Sequence, residues 1–147
     1  MLFGKRKRIV KRILIVEDEP LTAFENEYRL SDAGYTVVAT LDSYDEAIKA
    51  IDKGKIDLIL SDVRLSGKRS GVDLAKVAKQ HGIPLLFVTG RPPEDAAELA
   101  LGCLSKPYSD RTLTSALKAV EDHLAGRKVK KLDGFEIYVP TASADEI

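Results

Sequence analysis

Five polar side chains stand directly after short apolar runs in this sequence, and their types match the parts of a phosphoryl-transfer centre. Glu17 and Asp18 follow Ile13-Leu14-Ile15-Val16, Asp62 follows Leu58-Ile59-Leu60-Ser61, Thr89 follows Leu85-Leu86-Phe87-Val88, and Lys106 follows Cys103-Leu104-Ser105. Carboxylates brought together without enough basic partners repel one another, and a hard divalent cation with oxygen ligands relieves that repulsion. Mg2+ is the natural candidate. Phosphoryl transfer needs a nucleophile, a metal to neutralise the phosphoryl oxygens, and further donors for the charge of the transition state. In this reading Asp62 is the nucleophile, Glu17 and Asp18 hold the metal, Lys106 pairs with one phosphoryl oxygen and the Thr89 hydroxyl donates to another.

Each residue has a plainer explanation when taken alone. Asp62 would serve as a loop cap, Glu17 and Asp18 as solvated charges, Thr89 as a β-former at a strand end, and Lys106 as an ordinary surface cation. Their ordered occurrence after successive apolar runs favours the shared site.

Such a site requires elements that bring all five residues to one edge. Short β-rich runs alternate with segments of helical period, the pattern of a parallel sheet with helices on both faces. Strands are expected at Arg12–Val16, Tyr35–Thr40, Ile56–Ser61, Pro84–Val88 and around Cys103–Leu104. The first helix starts at Pro20, uses the apolar positions Leu21, Phe24 and Tyr28, and stops at Gly34. A second opens on a capping box, Ser43-x-x-Glu46, and closes at Gly54. The third spans roughly Gly71–His81. Pro92-Pro93 introduces a short fourth, and the fifth runs from about Asp110 to Leu124 with Leu113, Leu117, Val120 and Leu124 at spacings of three and four. The expected fold is therefore α/β, a five-stranded parallel sheet of order 2-1-3-4-5. Ligands of such sheets bind at the carboxyl ends of the strands.

The 147 residues, 44% of them apolar, suit one domain. We expect it at 11–126, between a basic extension at 1–10 and a tail at 127–147 too short to be an output domain. Acidic and basic residues balance at 23 each, so net charge implies neither a polyanion-binding surface nor an acidic chain. The single cysteine, Cys103, excludes an internal disulfide and fits a cytoplasmic location, and no apolar run is long enough for a membrane span. Basic residues gather at Lys5–Arg12 and at Arg127, Lys128, Lys130 and Lys131. Without a recognition helix or interleaved aromatics, solvated flanks are favoured over a nucleic-acid site. Phe135, Ile137, Tyr138 and Val139 can dock as an extra strand or pair with a partner.

With Ile-Leu-Ile-Val-Glu-Asp-Glu-Pro, Leu-Ile-Leu-Ser-Asp62-Val-Arg-Leu, Phe-Val-Thr89-Gly and Ser-Lys106-Pro107, the chain resembles the CheY-like receiver domain of two-component response regulators over residues 12 to about 125. The resemblance implies that a histidine kinase or phosphotransfer protein phosphorylates Asp62. It also implies that the backbone carbonyl of Arg64 completes the Mg2+ shell, and that Lys106-Pro107 is a cis peptide. Phe87-Val88-Thr89-Gly90 is similar to the motif of the FATGUY subgroup, stand-alone receivers of alphaproteobacteria associated with HWE-type kinases and stress signalling. Val88 replaces its Ala, and Arg91-Pro92 departs from its ending. A signalling protein working through a downstream protein partner is expected, rather than an enzyme; a transcription regulator using the basic flanks is the alternative. An aspartyl phosphatase is disfavoured because no Asp-x-Asp pair ends the first strand.

Receivers carry an aromatic residue three positions before the lysine, and it turns inward when the threonine moves. Here that position is Cys103, read as a small buried hydrophobe. Only 16 residues separate Thr89 from Lys106, so the fourth helix must be brief. The switch is expected within residues 90–102. His81 and His123 sit near helix C-termini and carry no expected catalytic role.

Overall fold

Strands buried on both faces are built from continuous apolar runs, and their alternate side chains supply two separate cores. The computed structural model, which describes residues 8–138, realises this with β1 (Arg12–Val16), β3 (Leu58–Ser61), β4 (Leu85–Thr89) and β5 (Gly102–Ser105) in the middle of one sheet. Between the strands run α1 (Pro20–Asp32), α2 (Tyr44–Lys53), α3 (Gly71–Gln80), the four-residue α4 (Ala96–Leu99) and α5 (Asp110–Leu124). One core packs Ile13, Ile15, Leu60, Val88 and Leu104 against Leu30 of α1 and Leu113 and Leu117 of α5. The other packs Leu14, Val16, Ile59 and Phe87 against Ile51 of α2 and Leu74 of α3. No described helix is long and apolar enough to cross a membrane.

The α/β architecture and the order 2-1-3-4-5 are as expected, with β2 at Thr36–Leu41. The expected count of five strands is corrected to six: β6 (Phe135–Ile137) adds to the β5 edge, antiparallel. Gly102 permits this approach, because an added Cβ there would overlap the carbonyl oxygen of Glu136. Phe135 joins the first core and Tyr138 the second, so the short strand grips both layers. Val139 lies outside the described residues.

At the other end Val10 is fully buried. Its N–H and that of Ile9 donate to the Glu121 carboxylate at 2.8 and 2.7 Å, and the Arg8 guanidinium lies 4.4 Å from the centre of the Tyr35 ring. The packed body therefore extends past the expected limits of 11 and 126 on both sides. Lys5 to Lys7 lie outside the described residues.

Two local expectations change. Three of the apolar positions of α1 do not face the core: Leu21, Phe24 and Tyr28 are 67%, 69% and 57% exposed, while Ala23, Asn26 and Leu30 are buried. The buried Asn26 accepts the Tyr108 hydroxyl at 2.8 Å. At α2, Ser43 does cap the Glu46 N–H, but Glu46 pairs with Lys49 at 3.5 Å, so only half of the expected box forms. The complete box opens α3. There the Ser70 hydroxyl accepts from the Val72 N–H at 3.1 Å, and the Asp73 carboxylate accepts from the Ser70 N–H at 2.9 Å.

Replacing Gly102 by Ala is expected to detach β6 and to cost about 1–3 kcal/mol, the usual penalty of overpacking. Urea denaturation measures the loss. A sheet from β1 to β5 with unaltered chemical shifts away from residues 100–104 and 134–138 is the expected accompaniment.

Candidate functional site

Parallel register sets the site. Val16 pairs with Ser61, so the next residues, Glu17 and Asp62, leave the sheet side by side, and the Asp62 N–H still bonds the Val16 carbonyl at 2.9 Å. Thr89 pairs with Ser105, and the Lys106 N–H donates to the Thr89 carbonyl at 3.0 Å. Four strands thus deliver Glu17, Asp62, Thr89 and Lys106 to one edge.

At the centre lies the Lys106 ammonium, which donates to Glu17 Oε1 and to Asp62 Oδ2, each at 2.8 Å. The second oxygen of Asp62 accepts the N–H groups of Val63 at 2.7 Å and, more weakly, of Arg64 at 3.3 Å. The second oxygen of Glu17 accepts the Glu19 N–H at 3.1 Å. Burial pushes the Glu17 carboxyl above the usual range despite the lysine, and the nearby Asp62 charge adds to the shift. For Lys106, burial disfavours the charged form, but the hydrogen bonds to Asp62 and Glu17 and their charges more than offset it. The ammonium is held charged.

Asp18 stands exposed at the rim, and Glu17, Asp18 and Asp62 each offer a carboxylate oxygen within 4.8 Å of the others. Three hard oxygen donors sharing one ammonium fit a divalent cation of the Mg2+ class. Arg64 is on the exposed loop beyond Asp62, its backbone tied to the same carboxylate. Thr89 is buried at the edge, but its hydroxyl is engaged within its own turn. It accepts from the Arg91 N–H at 3.2 Å and lies 3.4 Å from the Arg91 carbonyl. The structure therefore joins Glu17, Asp62 and Lys106 directly and leaves Thr89 adjacent with other partners. The Lys106-Pro107 peptide is cis, as the resemblance implied.

Three contributors escaped sequence reasoning. Gly71 sits so close to Asp62 that an added Cβ would overlap the Asp62 carbonyl oxygen, and its N–H donates to Val63 at 2.7 Å. A glycine at the very start of a helix was the available signal. Asn26 and Tyr108 join α1 to the Lys106-Pro107 turn; a lone amide between helical apolar positions gave only a faint hint. Cys103 is buried, with its thiol pushed up by that burial. His81 caps α3 and His123 lies in the last turn of α5, both away from the cluster.

Lys106→Met leaves Glu17 buried without its cation. A carboxyl whose folded pKa is raised contributes stability below its unfolded value of 4.5 and loses it as pH climbs through the folded pKa. In metal-free buffer the variant is expected to be close to wild type at about pH 4 and less stable by roughly 1–3 kcal/mol at about pH 7. Urea midpoints across that range check the trend; a deficit independent of pH would contradict it.

Comparison with known proteins agrees with this geometry. The family model of the response regulator receiver domain matches residues 13–118. The chain is 33% identical over 117 residues to the alkaline phosphatase synthesis transcriptional regulatory protein PhoP of Bacillus subtilis, covering 75% of this chain and 48% of that protein. It is 28% identical over 132 residues to the transcriptional regulatory protein PdtaR of Mycobacterium tuberculosis, covering 86% and 63%. It thus spans about half to two thirds of the length of these curated relatives. The crystal structure of a CheY-like response regulator receiver domain protein from Methanospirillum hungatei superposes with a TM-score of 0.71 at 25% identity, covering 80% of this chain and 98% of that one. With an acidic pocket and a lysine at the carboxyl edge of a CheY-like sheet, the chain belongs to the response regulator receiver domain family.

Proposed function

We propose that Asp62 accepts a phosphoryl group from the phosphohistidine of a histidine kinase or phosphotransfer protein, and that the product signals by protein–protein contact. The observation that carries this is the Lys106 ammonium bridging Glu17 and Asp62 at 2.8 Å each. A carboxylate oxygen of Asp62 attacks phosphorus, the P–N bond breaks, and the imidazole leaves with the electron pair and takes a proton. Lys106 then follows the new negative charge, and the Thr89 hydroxyl exchanges the Arg91 backbone for a phosphoryl oxygen. Glu17, Asp18, Asp62 and the Arg64 carbonyl would hold Mg2+, which supplies neutralisation of the phosphoryl oxygens. Hydrolysis of the phospho-aspartate resets the protein, so the chain is a switch rather than an enzyme turning over an external substrate.

A surface for the donor is at hand. The exposed Leu21, Phe24 and Tyr28 form a stripe along α1, next to a cleft of about 230 Å³ bordered by Glu19, Asn26, Lys106 and Tyr108. An apolar stripe at helical spacing suits a partner helix presenting its histidine to the pocket. The Phe87–Gly90 motif supports an HWE-type kinase and a role in stress signalling within the cytoplasm. Direct DNA binding through the flanks gains nothing here: Arg8 lies over Tyr35, and Arg127 pairs with Asp122 at 2.9 Å.

Incubation with acetyl phosphate and Mg2+ is expected to add the mass of one phosphoryl group to the wild type, and none to Asp62→Ala or in the presence of EDTA. Intact-protein mass spectrometry reads the result. An equal adduct on Asp62→Ala would sink the assignment.

A further inference from the structure

Cys103 is a small side chain on the inner face of β5, directly opposite Phe87 of β4. Tyr138 packs against the same core cluster as Cys103, and Thr89, paired with Ser105, stands two residues beyond Cys103 on that face. Thr89 at the end of β4, Cys103 in β5 and Tyr138 just after β6 therefore share one face of the sheet, offset from one another along it. Beside them opens a cavity of about 240 Å³, whose walls include Pro92, Cys103, Ser105 and Tyr138. Tyr138 is half-buried, packs on the α2–α3 side of the sheet, and is held by its N–H to the Leu101 carbonyl at 2.9 Å. Gly102 is the residue that lets this segment lie so close.

The hydroxyl of Thr89 is now occupied by the Arg91 backbone. Drawing it toward Asp62 frees that turn and vacates space on the face shared with Cys103. Unfilled space forfeits dispersion contacts, so a neighbouring side chain with room to move takes it. Cys103 is too short to do so. Tyr138 has both the bulk and, through the cavity, the freedom.

We infer that Tyr138 is the positioning residue of the readout: when Thr89 turns to a phosphoryl group on Asp62, the Tyr138 ring advances over Cys103 and β6 tightens on β5. The inference rests on the phosphoacceptor reading above. An aromatic group supplied by the residue after β6 thereby stands in for the one absent from β5, and the segment after α5 becomes part of the switch.

Beryllofluoride with Mg2+, a mimic of the phosphoryl group, tests this by amide hydrogen exchange and NMR on the full chain. The Val63, Arg64 and Thr89 amides are expected to shift, and exchange of the Tyr138 amide to slow by about tenfold. Tyr138→Phe should keep the slowing at residues 137–138. Tyr138→Ala and Thr89→Val should lose it while the Val63 shift persists. Shifts at Val63 and Thr89 with unchanged or faster exchange in β6 would overturn the inference and leave the phosphoacceptor reading intact, as would a Tyr138→Ala response equal to wild type. Failure of any amide near Asp62 to respond would overturn both.

Discussion

The arrangement depends on one partly buried ammonium held between two carboxylates. Lys106 comes from the end of β5, Glu17 from the end of β1 and Asp62 from the end of β3. Glu17 is almost wholly enclosed, and a carboxylate there is tolerable only with a cation and N–H donors around it. The ion triad therefore ties together strands far apart in sequence. It also keeps the cluster short of positive charge, since one ammonium faces Glu17, Asp18 and Asp62. The imbalance fits the pocket to a further cation.

Everything around the triad serves its spacing. Parallel pairing of Val16 with Ser61 sets Glu17 beside Asp62, and a slip of one residue would send one of them to the opposite face. Gly71 allows the start of α3 to close against the Asp62 carbonyl. The Asn26–Tyr108 hydrogen bond ties α1 to the turn that follows Lys106. Leu21, Phe24 and Tyr28 turn outward on the same helix.

Much of this was legible in the chain because its signals are local. Ile13–Val16 and Leu58–Ser61 read as strands buried on both faces, and Asp110–Leu124 as a helix, since each pattern is set by burial of its own residues. The acidic cluster followed from knowing that such strands share an edge. Less legible were features fixed by tertiary contact. The inward face of α1 carries the polar Asn26 beside Ala23 and Leu30, and the complete capping box lies at Ser70-x-x-Asp73. Pairing of β6 with β5 depends on Gly102, more than thirty residues away in sequence. Even the engagement of Thr89 with Arg91 is invisible to residue type.

At the opposite end of β1 from the pocket, carboxylates are used in another way. Asp57 accepts the N–H groups of Lys11 and Arg12, each at 2.9 Å, and Glu121 accepts those of Ile9 and Val10. Two backbone N–H groups hold each of these acids and leave little freedom to the chain they bind. The first strand is consequently a cantilever, fixed at its root and charged at its tip. A force applied at Glu17 cannot be relieved by sliding the strand lengthwise.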